Sequence, residues 1–316
     1  VLQNRLKLDF YLQQLLTGKL KDLHPVVRDI LHLGLYQIYE MDKIPESAAV
    51  NESVTLAKKY CKKQRNAPGL VNAVLRSAVR GKDTIKQPKG WQEIYSHPQK
   101  LIDILLPYVG KANMEPMLRA NNAAPQTVVQ VNTLKISAEA LAERLALEHV
   151  EAQLHPWMEN CLILGATGNL EQLPSFIEGL FYVQDPAAKL SVLCAGLPKG
   201  ADVRVLDCCA APGGKSFAAA MALGGSGQIT SCDFYAHKAD LIAKGAQRLG
   251  LGNITARQQD ATVPVPEWVG KMDFVIADVP CSGYGIIRKK PDIRYKNTDE
   301  MAKLPALQLQ ILKNQA

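Results

Sequence analysis

What the sequence lacks narrows its chemistry first. Among the seven cysteines (61, 161, 194, 208, 209, 232 and 281) there is no C-x-x-C pair, and the six histidines do not cluster with them. That pattern speaks against a zinc site, and a disulfide framework does not suit a chain of 316 residues. No metal and a reducing cytoplasm are therefore expected. Long hydrophobic runs are also missing. Nothing approaches the ~20 apolar residues that cross a bilayer, so no membrane partner is expected. The amino-terminal VLQNRLKLDF has neither a basic n-region nor an apolar h-region, so it does not read as a signal peptide. It does not start with Met, and the sequence is read as a fragment or a processed form. Internal repeats and low-complexity segments are absent. What is present is a 47% hydrophobic composition, ample for two or three cores, and a net charge of +7, a modest bias toward polyanions.

Apolar spacing divides the chain. Residues 1–82 read as all-helical, with Val26, Val27, Ile30, Leu31, Leu35 and Ile38 at helical spacing behind a first-turn Pro25. Further helices start near Ser47 and Pro68. A Pro- and Gly-containing charged stretch over 83–91 reads as a linker. Residues 92–200 are mixed: helices near 98–106, 110–120 and 137–147, strands at 127–131, 161–164 and 180–183. From 201 to 316 strands and helices alternate. Strands at 203–207, 228–233, 254–258 and 272–278, with helices at 214–223 and 237–249, predict a doubly wound parallel sheet.

The chemistry concentrates in this last part. The turn after its first strand holds two glycines among small residues, where a backbone can approach a ligand and a helix N-terminus favours an anionic group. It is neither G-x-G-x-x-G nor G-x-x-x-x-G-K-[ST], which disfavours dinucleotide and phosphate-loop readings. Asp207, Asp233, Asp260 and Asp278 end four successive strands, the edge where open parallel sheets bind ligands. Each aspartate alone is explained by a turn or cap. Four in register beside a Gly-rich loop suggest a nucleoside with a free ribose, as in S-adenosylmethionine. Cys281 stands in DVPCSG (278–283), directly after the last strand, where a thiol can be nucleophile, base, ligand or small core residue.

These segments carry a resemblance. CCAAPGGKS (208–216) and DVPCSG resemble the glycine-rich and Asp-Pro-Cys motifs of the RNA cytosine-5 methyltransferases. IIRKKPDIRY (286–295) is similar to that family's basic segment, VQDPAA (183–188) to its Gln-Asp motif, and VQVNTLK (129–135) to its Arg-Val-Asn strand with Gln130 in place of Arg. HLGLYQIYEMDKIPESAAVNESVTLAKK (32–59) and GLVNAVLR (69–76) resemble the NusB RNA-binding domain, which marks the RsmB-type (Sun/Fmu) branch that methylates 16S ribosomal RNA.

The resemblance implies a multi-domain fold: an all-α NusB-like domain over 1–82, a small α+β RNA-binding subdomain over 92–200, and an α/β Rossmann-like class I methyltransferase domain over 201–316 with an incomplete sheet. It implies a monomer acting on 16S ribosomal RNA in an unassembled or partly assembled small subunit. Cytosine C5 is a poor nucleophile. The family adds a thiolate to C6, methylates the resulting enamine-like C5, removes the C5 proton and eliminates the thiol, on a base drawn out of its stack. The attacking cysteine belongs to a Thr-Cys motif, and no Thr-Cys occurs in this sequence. The 316 residues by themselves are therefore expected not to turn over. By carry-over Cys281 is the cysteine that assists product release, and Asp278 contacts the cytosine. Cys209, Ala210, Ala211, Pro212, Gly213, Gly214, Lys215, Asp233, Asp260 and Asp278 form the cofactor set for S-adenosylmethionine. Arg288, Lys289, Lys290, Arg294 and Asn132 are candidates for RNA contact. The run Lys58, Lys59, Lys62, Lys63 and Arg65 is a weaker one, explained nearly as well by a solvated helix end. Cys61, Cys161, Cys194, Cys208 and Cys232 read as core. Two alternatives stand beside this reading: a DNA cytosine-5 methyltransferase with Cys281 as the attacker, and a non-catalytic RNA-binding module.

Overall fold

A computed structural model describes residues 1–316. Two compact units emerge: Val1–Ala124 with Gly283–Thr298, and Pro125–Ser282 with Asp299–Ala316. The chain thus leaves the first unit, builds most of the second, and returns to the first directly after the Pro-Cys motif.

Seven helices make the body of the first unit: α1 (Arg5–Leu15), α2 (Pro25–Glu40), α3 (Glu46–Tyr60), α4 (Ala67–Arg80), α5 (Trp91–Tyr95), α6 (Gln99–Val109) and α7 (Lys111–Asn122). Pro25 occupies the first turn of α2, where its missing N–H costs nothing. One stripe of α2 (Val27, Ile30, Leu31, Leu35, Ile38) packs with Val71, Val74 and Leu75 of α4 and Val50 and Ala57 of α3 in one core. The first unit continues past residue 82 through α6 and α7 to Ala124. The returning segment adds two short 3-10 turns, Tyr284–Ile286 and Pro291–Tyr295. Ile287 and Ile293 of that segment are buried with Leu101 of α6.

The second unit carries two sheets. In the first, β1 (Thr127–Val131), β2 (Ala152–Leu154), β3 (Cys161–Leu164) and β4 (Phe181–Val183) run antiparallel in the order β2-β3-β1-β4. Helices α8 (Ala138–Leu147) and α9 (Pro174–Ile177) accompany it. Val129, Val131, Leu162 and Phe181 pack on Leu141 and Leu145 of α8, as the two-residue alternation of strands requires. Helix α10 (Pro186–Leu193), capped by Asp185 accepting from the Ala187 amide, leads to the second sheet.

That sheet is parallel, in the order β7-β6-β5-β8, from β5 (Arg204–Asp207), β6 (Gln228–Asp233), β7 (Ile254–Gln258) and β8 (Phe274–Ile276). Helices α11 (Gly214–Ala222) and α12 (Ala236–Leu249) bury Phe217, Ala219, Ile242 and Ala246 against Val205 and Ile229. Leu206, Cys208 and Cys232 pack in a separate cluster with Ile311 of α14 (Leu304–Gln315), which follows the short α13 (Thr298–Met301). Strand order reverses at β5: the chain steps outward to β6 and β7, then returns to pair β8 with β5. Such a switch point opens a crevice at the carboxyl ends of the strands.

Candidate active site

Each strand of the parallel sheet delivers one aspartate to that edge, and the structure separates their roles. Asp207, at the end of β5, is fully buried. Its Oδ2 accepts from Ser216 Oγ at 2.8 Å, and Ser216 in turn accepts from Ser231 Oγ at 2.7 Å. Its Oδ1 has no partner. Burial pushes its carboxyl up to about 6 against the Ser216 hydrogen bond. Asp207 is thus a buried support beneath the loop, outside the lining of the cavity described next.

Asp233 and Asp260 do reach the cavity. Asp233 Oδ1 accepts from the Tyr235 amide at 3.1 Å and lies 3.8 Å from Lys238 Nζ. Asp260 Oδ1 accepts from both the amide (2.8 Å) and the hydroxyl (2.7 Å) of Thr262. Each carboxylate therefore holds its own turn with Oδ1. Both line one cavity of about 450 Å³ with Cys209, Phe234, Tyr235, Gln259, Pro280 and Ile311. That volume suits a nucleoside-sized ligand. Phe234 and Tyr235 stand edge to face with centroids 5.0 Å apart and are more than half exposed, an apolar flank for a flat base.

Between β5 and α11 the glycine-rich loop turns sharply. Gly213 sits at φ +110°, and a Cβ there would come 2.4 Å from Phe217 Cζ, so only glycine fits. Of the loop residues Cys209 lines the cavity, whereas Ala210 is buried in the core behind it. The Cys208 thiol donates to Cys209 Sγ at 4.0 Å; that hydrogen bond, with burial, keeps Cys208 protonated. Lys215 extends from the first turn of α11 and pairs with Asp278 across the edge of the sheet. Asp278 is exposed, as is Cys281 three residues later. Gln308 of α14 donates to the Pro280 carbonyl at 2.8 Å and steadies the loop between them.

Two of the RNA-contact candidates are not at a surface. Asn132 is fully buried, and its amide donates to the carbonyls of Gly179 (2.9 Å) and Leu249 (2.8 Å), so it ties β1 to α12. Arg294 is 2% exposed and engages only atoms of the helical unit. Both side chains are buried, and the hydrogen bonds given for them go to the protein interior. Arg288, Lys289 and Lys290 do remain exposed, as do Lys58, Lys59, Lys62, Lys63 and Arg65. Among the expected core cysteines, Cys194 is exposed, because it lies just past the end of α10; Cys61, Cys161, Cys208 and Cys232 are buried. Sequence reasoning missed Phe234, Tyr235, Gln308 and Ile311. The first two were marked by following Asp233 directly; the α14 residues carry no local signal.

Comparison with known proteins covers most of the chain. Residues 196–316 match the family model "16S rRNA methyltransferase RsmB/F". Residues 1–80 match the NusB family, and residues 97–171 the ferredoxin-like domain of RsmF/B-like methyltransferases. The probable ribosomal RNA small subunit methyltransferase B of Bacillus subtilis is 34% identical over 99% of this chain and 70% of its own length. The ribosomal RNA small subunit methyltransferase B of Pseudomonas putida is 32% identical over 97% of this chain and 70% of its own length. The solved structure of PH0851 shares the fold at a TM-score of 0.83 with 22% identity, over 99% of this chain and 71% of that one. NSun6 from Pyrococcus horikoshii, solved with SFG, aligns at a TM-score of 0.62 and 18% identity, over 69% of this chain and 79% of that one.

Proposed function

The chain belongs to the ribosomal RNA small subunit methyltransferase B family, and from that premise we propose that it methylates C5 of a cytosine in 16S ribosomal RNA through a covalent cysteine–C6 adduct, with S-adenosylmethionine as methyl donor. The observation that carries the reading is a cavity lined by Cys209, Asp233, Asp260 and Pro280 of the Pro-Cys loop, the loop that begins at Asp278, the partner of Lys215.

The cavity fits the cofactor. Asp233 and Asp260 each keep one carboxylate oxygen out of their own turns, Phe234 and Tyr235 offer an aromatic flank, and Gly213 lets the loop backbone come close. S-adenosylmethionine would supply an electrophilic methyl group. Asp233 would accept from the ribose hydroxyls, Asp260 would hold the adenine side, and the loop 209–215 the methionine end.

The remaining work falls to side chains at the mouth. Asp278 would accept a hydrogen bond from the cytosine and draw the ring toward C6 attack, with Lys215 holding the carboxylate in orientation. Cys281, exposed on the same loop, would take part in release of the methylated base after the C5 proton leaves. The attacking thiolate is expected from a Thr-Cys pair. No Thr-Cys occurs within these 316 residues.

Two measurements test the proposal. Calorimetry on this chain should detect S-adenosylmethionine binding, weakened roughly 10- to 100-fold by Asp233→Ala through loss of buried charge-assisted hydrogen bonds. Equal affinity of wild type and variant would remove Asp233 from the site. In the complete gene product, Cys281→Ala should capture RNA covalently and fail to let it go. Complete loss of capture would instead make Cys281 the attacker, as in the DNA-type chemistry.

A further inference from the structure

Arg294 is a buried cation with no carboxylate beside it. Its Nη1 lies 3.1 Å from the Gln3 carbonyl, 3.2 Å from those of Tyr95 and Ser96, and 3.0 Å from Asn122 Oδ1. Its Nε and Nη2 have no acceptor. Burying a guanidinium against carbonyl dipoles alone is costly, and an apolar side chain of that volume would pack more cheaply. The charge makes sense where it must hold a segment in place.

The segment is the one that follows the Pro-Cys motif. Gly283, two residues after Cys281, adopts φ +78°, and a Cβ there would press on Ile293 at 3.1 Å. Ile287 and Ile293 are buried with Leu101. The Tyr295 hydroxyl donates to the Leu2 carbonyl at 3.0 Å, and the Arg5 guanidinium lies 5.3 Å from the Tyr295 ring centroid. Anchors thus run along the whole strap from 283 to 295, and Arg294 closes its far end with the most acceptors. The near end is covalently continuous with the loop that bears Cys281.

We propose that Arg294 is a positioning residue for Cys281: the guanidinium clamps the 283–298 strap into the helical unit, and the clamped strap limits where the Cys281 thiol can go. The inference rests on the proposed role of Cys281 in product release. It predicts that loosening a residue far from the base slows release, a step that a general folding defect would not single out.

The test uses the complete gene product with RNA carrying ordinary cytosine, on which wild type releases its product, comparing wild type, Cys281→Ala, Arg294→Met and Arg294→Lys. The expected result for Arg294→Met is a turnover number roughly 10- to 100-fold lower, KM for RNA little changed, and covalent protein–RNA adduct accumulating as it does in Cys281→Ala. Arg294→Lys, which keeps the charge and reaches the same carbonyls, should recover part of the loss and stands in if Arg294→Met does not fold. Hydrogen exchange should show protection lost over 279–298 while α11 and β6 keep theirs. Adduct accumulating in Cys281→Ala but in neither Arg294 variant overturns the inference. No adduct in Cys281→Ala overturns the release reading instead, and exchange then decides: faster exchange confined to 279–298 supports the clamp, and unchanged or uniformly faster exchange sinks it.

Discussion

At the scale of single residues, Asp207 separates structural from ligand-facing acid. The same sequence position pattern marks it, Asp233, Asp260 and Asp278 alike, yet Asp207 is fully buried, Asp233 and Asp260 line the cavity, and Asp278 is exposed. Folded, Asp207 holds its proton up to about pH 6; unfolded, an aspartate titrates near ~3.9. A folded value above the unfolded one means that the stabilisation from the bound proton is complete below ~pH 3.9 and lost as pH climbs to about 6. The loss is on the order of 3 kcal/mol. Asn at 207 keeps an acceptor for Ser216 and never ionises. The melting temperature of Asp207→Asn relative to wild type should therefore rise between about pH 4 and 7 and level off above. A difference that stays flat with pH would show that the buried carboxylate is not what titrates.

At the scale of elements, close approach decides what a glycine is for. Gly34 lies mid-helix in α2, where alanine would normally stabilise by about 0.5–1 kcal/mol. Here a Cβ would come 2.5 Å from Leu75 Cδ1 and 2.8 Å from Ser53 Oγ. Ser53 is held by its own bond to the Ala49 carbonyl at 2.7 Å and cannot turn aside freely. Overpacking of this kind costs about 1–3 kcal/mol and outweighs the propensity gain. Gly34→Ala should thus lower the urea midpoint of the helical unit; a raised midpoint would mean that α2 and α4 can separate without penalty. Elements whose register depends on their own residues were legible in the sequence. The spans of β1, β3, β6 and β7 and the start of α11 follow from alternation and loop chemistry inside each segment. What was not legible has distant partners. Arg294 reads as one more cation in a basic run, but its acceptors lie at Gln3, Tyr95, Ser96 and Asn122. Asn132 reads as a polar residue free for RNA, and its acceptors at Gly179 and Leu249 come from two other parts of the chain.

At the scale of the molecule, the two compact units are interleaved in sequence. The loop that carries the Pro-Cys motif ends at Ser282, and the next sixteen residues complete the helical unit rather than the sheet that precedes them. The helices of residues 1–124 alone would leave Leu101 without Ile287 and Ile293, and the carbonyls of Gln3, Tyr95 and Ser96 without Arg294. Each buried Ile is worth about 1.5–3 kcal/mol, against the entropy of fixing a short segment at about 1–2 kcal/mol per residue, so the net gain is small and tethering decides whether it appears. A protein of residues 1–124 joined through a flexible Gly/Ser linker to 283–298 should melt above residues 1–124 alone, by about 4–8 °C for each kcal/mol gained. Ile293→Asp in the joined protein should erase the gain, since it buries a charge beside Leu101. Equal melting of all three would mean that the strap lies on the helical unit without supporting it.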